Sequence, residues 1–327
     1  MPKIPIEHVA CNPPPPDLLE ADWDDLLHAA LTVGRPNRYY IFRYGEASAY
    51  EMMFRASMLR MALVSSPGNQ RFNRTDLFKS LDPSEKGSIN YFLGLTLCKL
   101  YATKQLGVPW LQHLDAAKDL NPELRKPGRS RPDMVGQRFD DTWVAFESKG
   151  RVAPADAKTK RKAKAQARRV VSVSGRPVIG HYAGISYFRN ETLCFFIQDP
   201  APLKEGDAGA ISVKGEKRRF FETYYAPFLE FISQDSRHIA AEVGVSPDYP
   251  ADIKLANSRE MDAEIGMRSD IFGLAANKQW EKLTEVCSKD NEALIRAGYH
   301  SDGIFIKCGS TWQKHDKRSL SKKVGDG

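Results

Sequence analysis

Residues 131–151, RPDMVGQRFDDTWVAFESKGR, constrain the fold of this chain more than any other stretch. Successive side chains of a strand point to opposite faces, and two strand-like runs here flank the polar turn RFDDT. In the second run Val144 and Phe146 share one face, while Glu147 and Lys149 share the other. Asp140, near the centre of the turn, lies midway between Asp133 and Glu147, so a symmetric hairpin sets these two carboxylates opposite each other. Directly opposed cross-strand residues have Cβ atoms about 4.5–5.5 Å apart. Like charges at that range repel unless a cation or a proton sits between them. Oxygen ligands on separate strands, with room for water and a phosphate, suit Mg²⁺, with Mn²⁺ as a substitute.

Upstream, the prolines Pro13 to Pro16 favour an extended arm over residues 1–20. A short amphipathic helix begins at Asp22, with Trp23, Leu26, Leu27, Ala30 and Leu31 on one side. The aromatic and β-branched run 37–44 reads as a strand, and residues 48–64 read as a helix whose methionines fill core space. A polar loop, Gly68 to Thr75, separates this N-terminal region from the rest of the chain. Asp82 or Ser84 caps a long helix running to Gln105 and stopping at Gly107, with Tyr91, Phe92, Leu95, Leu97, Cys98, Leu100 and Tyr101 on its buried side. Glu85 stands in its first turn, where an acid complements the helix dipole. Pro109 to His113 reads as a short strand or turn, and His113, like His181, reads as a structural residue rather than a base.

Downstream of Gly150 the composition changes sign. The chain carries a formal charge of +7, and much of the excess falls in KTKRKAKAQARR, residues 158–169, on a helix that begins near Pro154. Cations packed this closely repel one another, and a polyanion relieves the repulsion. Lys158, Lys160, Arg161, Lys162, Lys164, Gln166 and Arg168, with Arg129 and Arg131 ahead of Asp133, are therefore the expected nucleic-acid contacts. Two strands, 177–188 and 192–198, close the core across the turn Arg189–Glu191.

After Pro200 the pattern reads as mainly helical, at 216–231, 258–272 and 277–297, with a turn at Asp302 and Gly303 and then a strand, Ile304 to Cys308. The aromatic stripe of the first of these helices is expected in a core or an interface. The organisation expected is an N-terminal arm with a helical and strand region (1–75), a core (76–200), a C-terminal region (201–313) and a basic flexible tail (314–327). A homodimer or a partner protein is expected to use the C-terminal region. No apolar run reaches the ~18 residues of a membrane span, and the N-terminus lacks the apolar core of a signal peptide, so the expected location is cytoplasmic. Five scattered cysteines suggest reduced thiols, with neither a metal knuckle nor a disulfide framework.

Pro132 and Asp133, then Glu147, Ser148 and Lys149, resemble the signature of the PD-(D/E)xK nuclease superfamily, the restriction-endonuclease-like fold. Of three acidic-x-Lys triplets, the others at Asp156 and Asp252, only this one ends an apolar strand and comes after a Pro-Asp at hairpin distance. The resemblance implies an α/β (α+β) fold with an αβββαβ core, which the order of helices and strands along the sequence also fits. It implies that Asp133 and Glu147 hold the metal, that the Ser148 carbonyl adds a ligand and that Lys149 steers the attacking water. Glu85 resembles the extra acid many members carry on the preceding helix. Gln166 resembles the Gln of several exonuclease branches, although Val170 stands where those branches have Tyr. The activity implied is Mg²⁺-dependent hydrolysis of phosphodiester bonds, in DNA above all, in bacterial defence or DNA processing. The alternative is a non-catalytic nucleic-acid-binding or structural subunit of the same fold.

Overall fold

The chain is seen in a computed structural model that describes residues 1–33, 47–66, 68, 70–114, 130–234, 237–239, 250 and 252–313. The strand expected at 37–44, the basic loop bearing Arg125, Lys126 and Arg129, and the tail 314–327 lie outside these residues. In chain order the N-terminal third holds β1 (Lys3–Val9), β2 (Leu18–Glu20), α1 (Trp23–Thr32), α2 (Ala47–Ala62), β3 (Leu63–Ser66), β4 (Arg71–Arg74) and α3 (Asp76–Ser80). Next come α4 (Pro83–Leu106), β5 (Trp110–His113), β6 (Met134–Gln137), β7 (Trp143–Gly150), α5 (Ala157–Ala167), β8 (Val170–Val173), β9 (Arg176–Arg189) and β10 (Thr192–Gln198). The remainder holds β11 (Ile211–Val213), α6 (Lys217–Gln234), β12 (Arg237–Ile239), β13 (Ile253–Ser258), β14 (Ala263–Arg268), α7 (Ser269–Ala276), α8 (Trp280–Lys289), α9 (Asn291–Arg296) and β15 (Ile304–Cys308).

Among the described residues, 11 strands join in one mixed sheet whose main path is β2-β1-β10-β9-β7-β6-β5. β5, β6 and β7 form an antiparallel meander, and β9 returns parallel to β7 after the crossover through α5. The helix before this meander behaves as its sequence predicts. Asp82 and Glu85 close a capping box at the start of α4, and Gly107 ends it in the left-handed conformation at φ 62°.

α4 lies so close to β7 that two glycines are obligatory. A Cβ on Gly94 would stand 2.7 Å from Ser148 Oγ and 2.9 Å from the Lys149 carbonyl carbon, and one on Gly150 would fall 1.7 Å from the Asn90 carbonyl oxygen. The even-numbered face of β7, with Val144 and Phe146, packs under α4, while Ala163 and Ala167 of α5 cover Ala183 and Ile185 on the other face. The sheet is thus sandwiched between the two helices at β7 and β9.

Several sequence expectations are corrected. Residues 3–9 are a sheet strand, not an arm, because Ile4 and Ile6 alternate into the core and the backbone pairs with β10. The loop at 68–75 contains β4, anchored by the fully buried Phe72, so the sheet runs across residue 75. The C-terminal region carries a sheet of its own beside its helices. Where a helix is expected over 258–272, residues 253–268 form the β13/β14 hairpin of a four-stranded antiparallel sheet, β12-β13-β14-β15, and the helix α7 starts only at Ser269. Ile253 and Leu255, then Ala263, Ile265 and Met267, alternate with period 2, and burial of that face outweighs the helix-forming residues between them. The helix expected at 277–297 is two helices parted at Asp290. β8 and β11 were not legible as strands.

A buried polar knot ties the C-terminal sheet to the rest. Asp302 Oδ2 lies 2.9 Å from His28 Nε2 and accepts from the Tyr224 hydroxyl at 2.6 Å, while Asp302 Oδ1 accepts from the Ile304 N–H at 3.1 Å. Lys99, fully buried, donates to the Tyr224 hydroxyl at 2.9 Å and to the Pro109 carbonyl. Burial alone would push the Asp302 carboxyl up, but His28 and Lys99 outweigh it and hold the group well below the usual carboxylate range. Asp302→Ala leaves buried donors unpaired and is expected to cost about 3–5 kcal/mol, read from urea denaturation. Gly94→Ala is expected to destabilise by about 1–3 kcal/mol. Gly87→Ala on the same helix, with open space around it, should gain about 0.5–1 kcal/mol.

Candidate functional site

The hairpin register puts the two acids where the sequence predicts. Met134 pairs with Phe146 and Gln137 with Trp143, so the same register one residue outward sets Asp133 against Glu147. Asp133 is half-buried, and its Oδ2 accepts the Ser148 backbone N–H at 2.9 Å, which fixes the carboxylate against the end of β7. Glu147 is fully buried. Its Oε1 accepts from Lys149 Nζ, and its Oε2 is buried with no hydrogen-bond partner. Burial, then the negative charge of Asp133, push the Glu147 carboxyl up to about 8, with Lys149 and Lys162 opposing the shift.

Asp133, Ser148 and Lys149 open into a cleft of about 560 Å³ between β7 and α5. Its walls include Tyr91 of α4, Gly150 at the end of β7, Arg151 just after it, Asp156 at the cap of α5, and Lys158, Thr159 and Lys162 of its start. Asp156 caps α5 by accepting the Thr159 N–H at 2.7 Å.

The expected basic helix is split by its own geometry. Lys158 and Lys162, one turn apart, face the cleft. Lys160 lies instead over the Phe196 ring, 4.1 Å from its centroid. Arg161 and Lys164 point to solvent, and Arg168 donates to the Pro202 carbonyl at 3.3 Å. Gln166 does not reach the cleft. Its Nε2 donates to the Arg131 carbonyl at 3.2 Å and Arg169 donates to the Ser130 carbonyl, so the end of α5 holds the segment that delivers Asp133. Arg131, half-buried, stands in that segment.

Glu85 is exposed and accepts the Asp82 backbone N–H at 3.2 Å, which commits it to the cap of α4 and leaves it outside the cleft lining. His113 contacts the Tyr91 hydroxyl at 3.3 Å, and His181, buried, lies 2.8 Å from the Val170 carbonyl. The aromatic stripe of α6 is core: Phe221, Tyr225 and Phe228 are fully buried. Tyr91, by contrast, was expected inside and is 41% exposed at the cleft. Arg151 and Tyr91 are the cleft residues that sequence reasoning missed. The signal for Arg151 was its adjacency to the hairpin end, whereas no local signal marked Tyr91, whose neighbour Asn90 is brought against Gly150 by the packing of α4.

Two carboxylates at the head of a hairpin, one with an orphaned buried oxygen, form a donor set that fits a hard divalent cation sharing its remaining positions with water, backbone carbonyl and substrate. Among the described residues no group of three or more His, Cys, Asp and Glu side chains is placed to hold a metal. The described cysteines are all free thiols, and among the described residues no helix is long and apolar enough to cross a membrane. Compared with protein-family models, with curated proteins and with solved structures, the chain gives no match.

The raised Glu147 carboxyl makes stability depend on pH. Between the ordinary value of 4.5 and about 8 the folded chain keeps a proton that the unfolded chain loses, so this group lowers stability as pH rises through that window. Glu147→Gln should flatten this part of the profile and raise stability at pH 8 relative to pH 5, as read by urea denaturation in EDTA.

Proposed function

We propose that the chain is a divalent-metal-dependent nuclease of the PD-(D/E)xK kind that hydrolyses phosphodiester bonds in DNA. The observation that carries this reading is the orphaned, fully buried Glu147 oxygen in register with Asp133 and beside Lys149. Lys149 answers only one of the Glu147 oxygens, and the second acid, Asp133, opposes its charge, an arrangement that a divalent ion would complete. The element order α4-β5-β6-β7-α5-β9, a helix, a three-stranded meander, a crossover helix and a parallel return, supports it as the αβββαβ core.

In this reading Asp133 and Glu147 hold Mg²⁺ or Mn²⁺, with the Ser148 carbonyl as a further ligand. A bound divalent ion polarises the phosphate and acidifies a bound water. Lys149, next to Glu147 on the same strand face, directs its ammonium to the attacked phosphorus and stabilises the charge that develops there. Arg151, Lys158 and Lys162 grip flanking phosphates, which positions the backbone without reading sequence. Gln166 and Arg169 act on Asp133 indirectly, by fixing the backbone at residues 130–131.

Plasmid and single-stranded DNA incubated with and without Mg²⁺ test the reading. Wild type should cut only with the metal, Asp133→Ala and Glu147→Gln should not cut, and Lys149→Ala should be slower by about 10²–10³-fold. Equal cutting by all four proteins would remove the site assignment. No cutting under any condition, with retained binding, would favour the non-catalytic subunit. Because Glu147 must lose its proton to bind metal, the rise in melting temperature given by Mg²⁺ should grow from pH 6 to about 8 and then level off, and be absent in Glu147→Gln.

A further inference from the structure

One wall of the cleft is not cationic. Tyr91, 41% exposed, forms it from α4, and its ring centre lies 5.3 Å from that of Phe92 at 76°. Phe92 in turn meets Phe54 of α2 edge-on, 5.8 Å away at 88°. Phe54 is 53% exposed, and Tyr50, four residues earlier on the same helix face, is 64% exposed. Ring contacts therefore link Tyr91 at the cleft to Phe54 of α2 through the half-buried Phe92, with Tyr50 one helical turn beyond Phe54. This chain of rings is also firmly backed. The buried Arg55 guanidinium sits 5.5 Å from the Phe92 centroid and is held by Glu51 at 2.9 Å and by the Ala30 carbonyl at 2.9 Å.

We propose that the strand entering the cleft is unpaired nucleic acid, whose bases stack on Tyr91, Phe92, Phe54 and Tyr50 while its phosphates track along Arg151, Lys158 and Lys162 on the opposite wall. The proposal names the substrate class of the Asp133–Glu147 site and rests on the nuclease reading for the chemistry alone. Two surfaces of different character meet at one groove, and a single strand has both complements: a π-face on each base and a charge on each phosphate. A duplex keeps its bases stacked inside and offers these rings nothing. An apolar protein segment would match the rings but would bring no counter-charge to Lys149, Arg151, Lys158 and Lys162 at the cleft end. It is the grouping of three exposed rings, Tyr91, Phe54 and Tyr50, next to a cationic cleft, rather than the exposure of any one of them, that points to an interaction surface.

The test is fluorescence anisotropy of the full chain with labelled oligothymidylate and with a labelled duplex of equal length, in EDTA so that nothing is cut. Wild type should bind the single strand more tightly than the duplex. Phe54→Ala and Tyr91→Ala should each weaken single-strand binding by about five-fold to a hundred-fold, the range expected for one stacked base, and leave duplex binding unchanged. Phe54→Leu should fail to restore binding and Phe54→Tyr should restore it, with thermal melts showing that each variant is folded. Unchanged single-strand affinity, equal loss on duplex, or tighter duplex binding by wild type would overturn the proposal. So would a concentration-dependent dimer in sedimentation that Phe54→Ala abolishes, because the strip would then be an interface between copies. If Mg²⁺-dependent cutting is found while the aromatic variants bind as wild type, the nuclease reading stands and the strip falls. If the variants lose single-strand binding and no protein cuts, the strip stands and the catalytic reading falls.

Discussion

The close approach of α4 to β7 is the constraint on which the rest of the arrangement depends. With hydrogens alone at Gly94 and Gly150, the helix backbone comes down onto the strand, so that Ser148 and the end of β7 are pinned from one side. The strand then cannot shift or rotate. Glu147 is forced to the opposite face, beneath α5, and Asp133 is drawn in by its bond from the Ser148 N–H. The cleft opens where α5 begins, because the chain must leave β7 at Arg151 and climb to its cap at Asp156 before it can cover the sheet. A bulkier residue at either glycine would separate α4 from β7 and release the strand end that carries both Glu147 and Lys149.

Two buried acids show how differently the same chemistry can be used. Asp302 is surrounded by donors from α1, α6 and its own loop, with Lys99 nearby, so both of its carboxylate oxygens are answered and its charge is stabilised at the join between the sheets. Glu147 has one lysine and one unanswered oxygen, and a second carboxylate for a neighbour, so its charge is opposed. The first arrangement is complete as it stands and serves the fold. The second is incomplete without a cation or a proton, and it lies directly behind Ser148 and Lys149, which line the basic cleft.

How much of this was legible depended on whether the signal was local. The α4 cap, the hairpin at 131–151 and the β9/β10 pair were readable because each is set by residues a few positions apart: Asp82 with Glu85, the polar turn between alternating runs, the turn at Asn190. The strands β1 and β4 were not, since a Pro-rich or polar stretch looks like a loop until a partner strand supplies its hydrogen bonds. The β13/β14 hairpin was lost for a related reason. Alanine, glutamate and methionine at 261–267 favour helix on their own, and only the buried face shared with β15 and α6 makes alternation the better arrangement. In the site, the pairing of Asp133 with Glu147 came from hairpin spacing, and Lys149 came from what the resemblance of the motif implies. The division of the basic helix was legible in neither, because which lysines face the cleft depends on how α5 rotates to lay Ala163 and Ala167 on the sheet.

The sequence by itself determined the acid pair, the lysine beside it, the glycines that let α4 approach and the excess of positive charge, since all of these are properties of residue type and near-neighbour spacing. Tertiary structure alone decided that Gln166 holds a backbone carbonyl, that Tyr91 lines the cleft and that one Glu147 oxygen is left without a partner. The physical reason is that burial and hydrogen-bond satisfaction depend on residues far away in the chain. A side chain's chemistry is written at its own position, but its surroundings come from the elements packed against it.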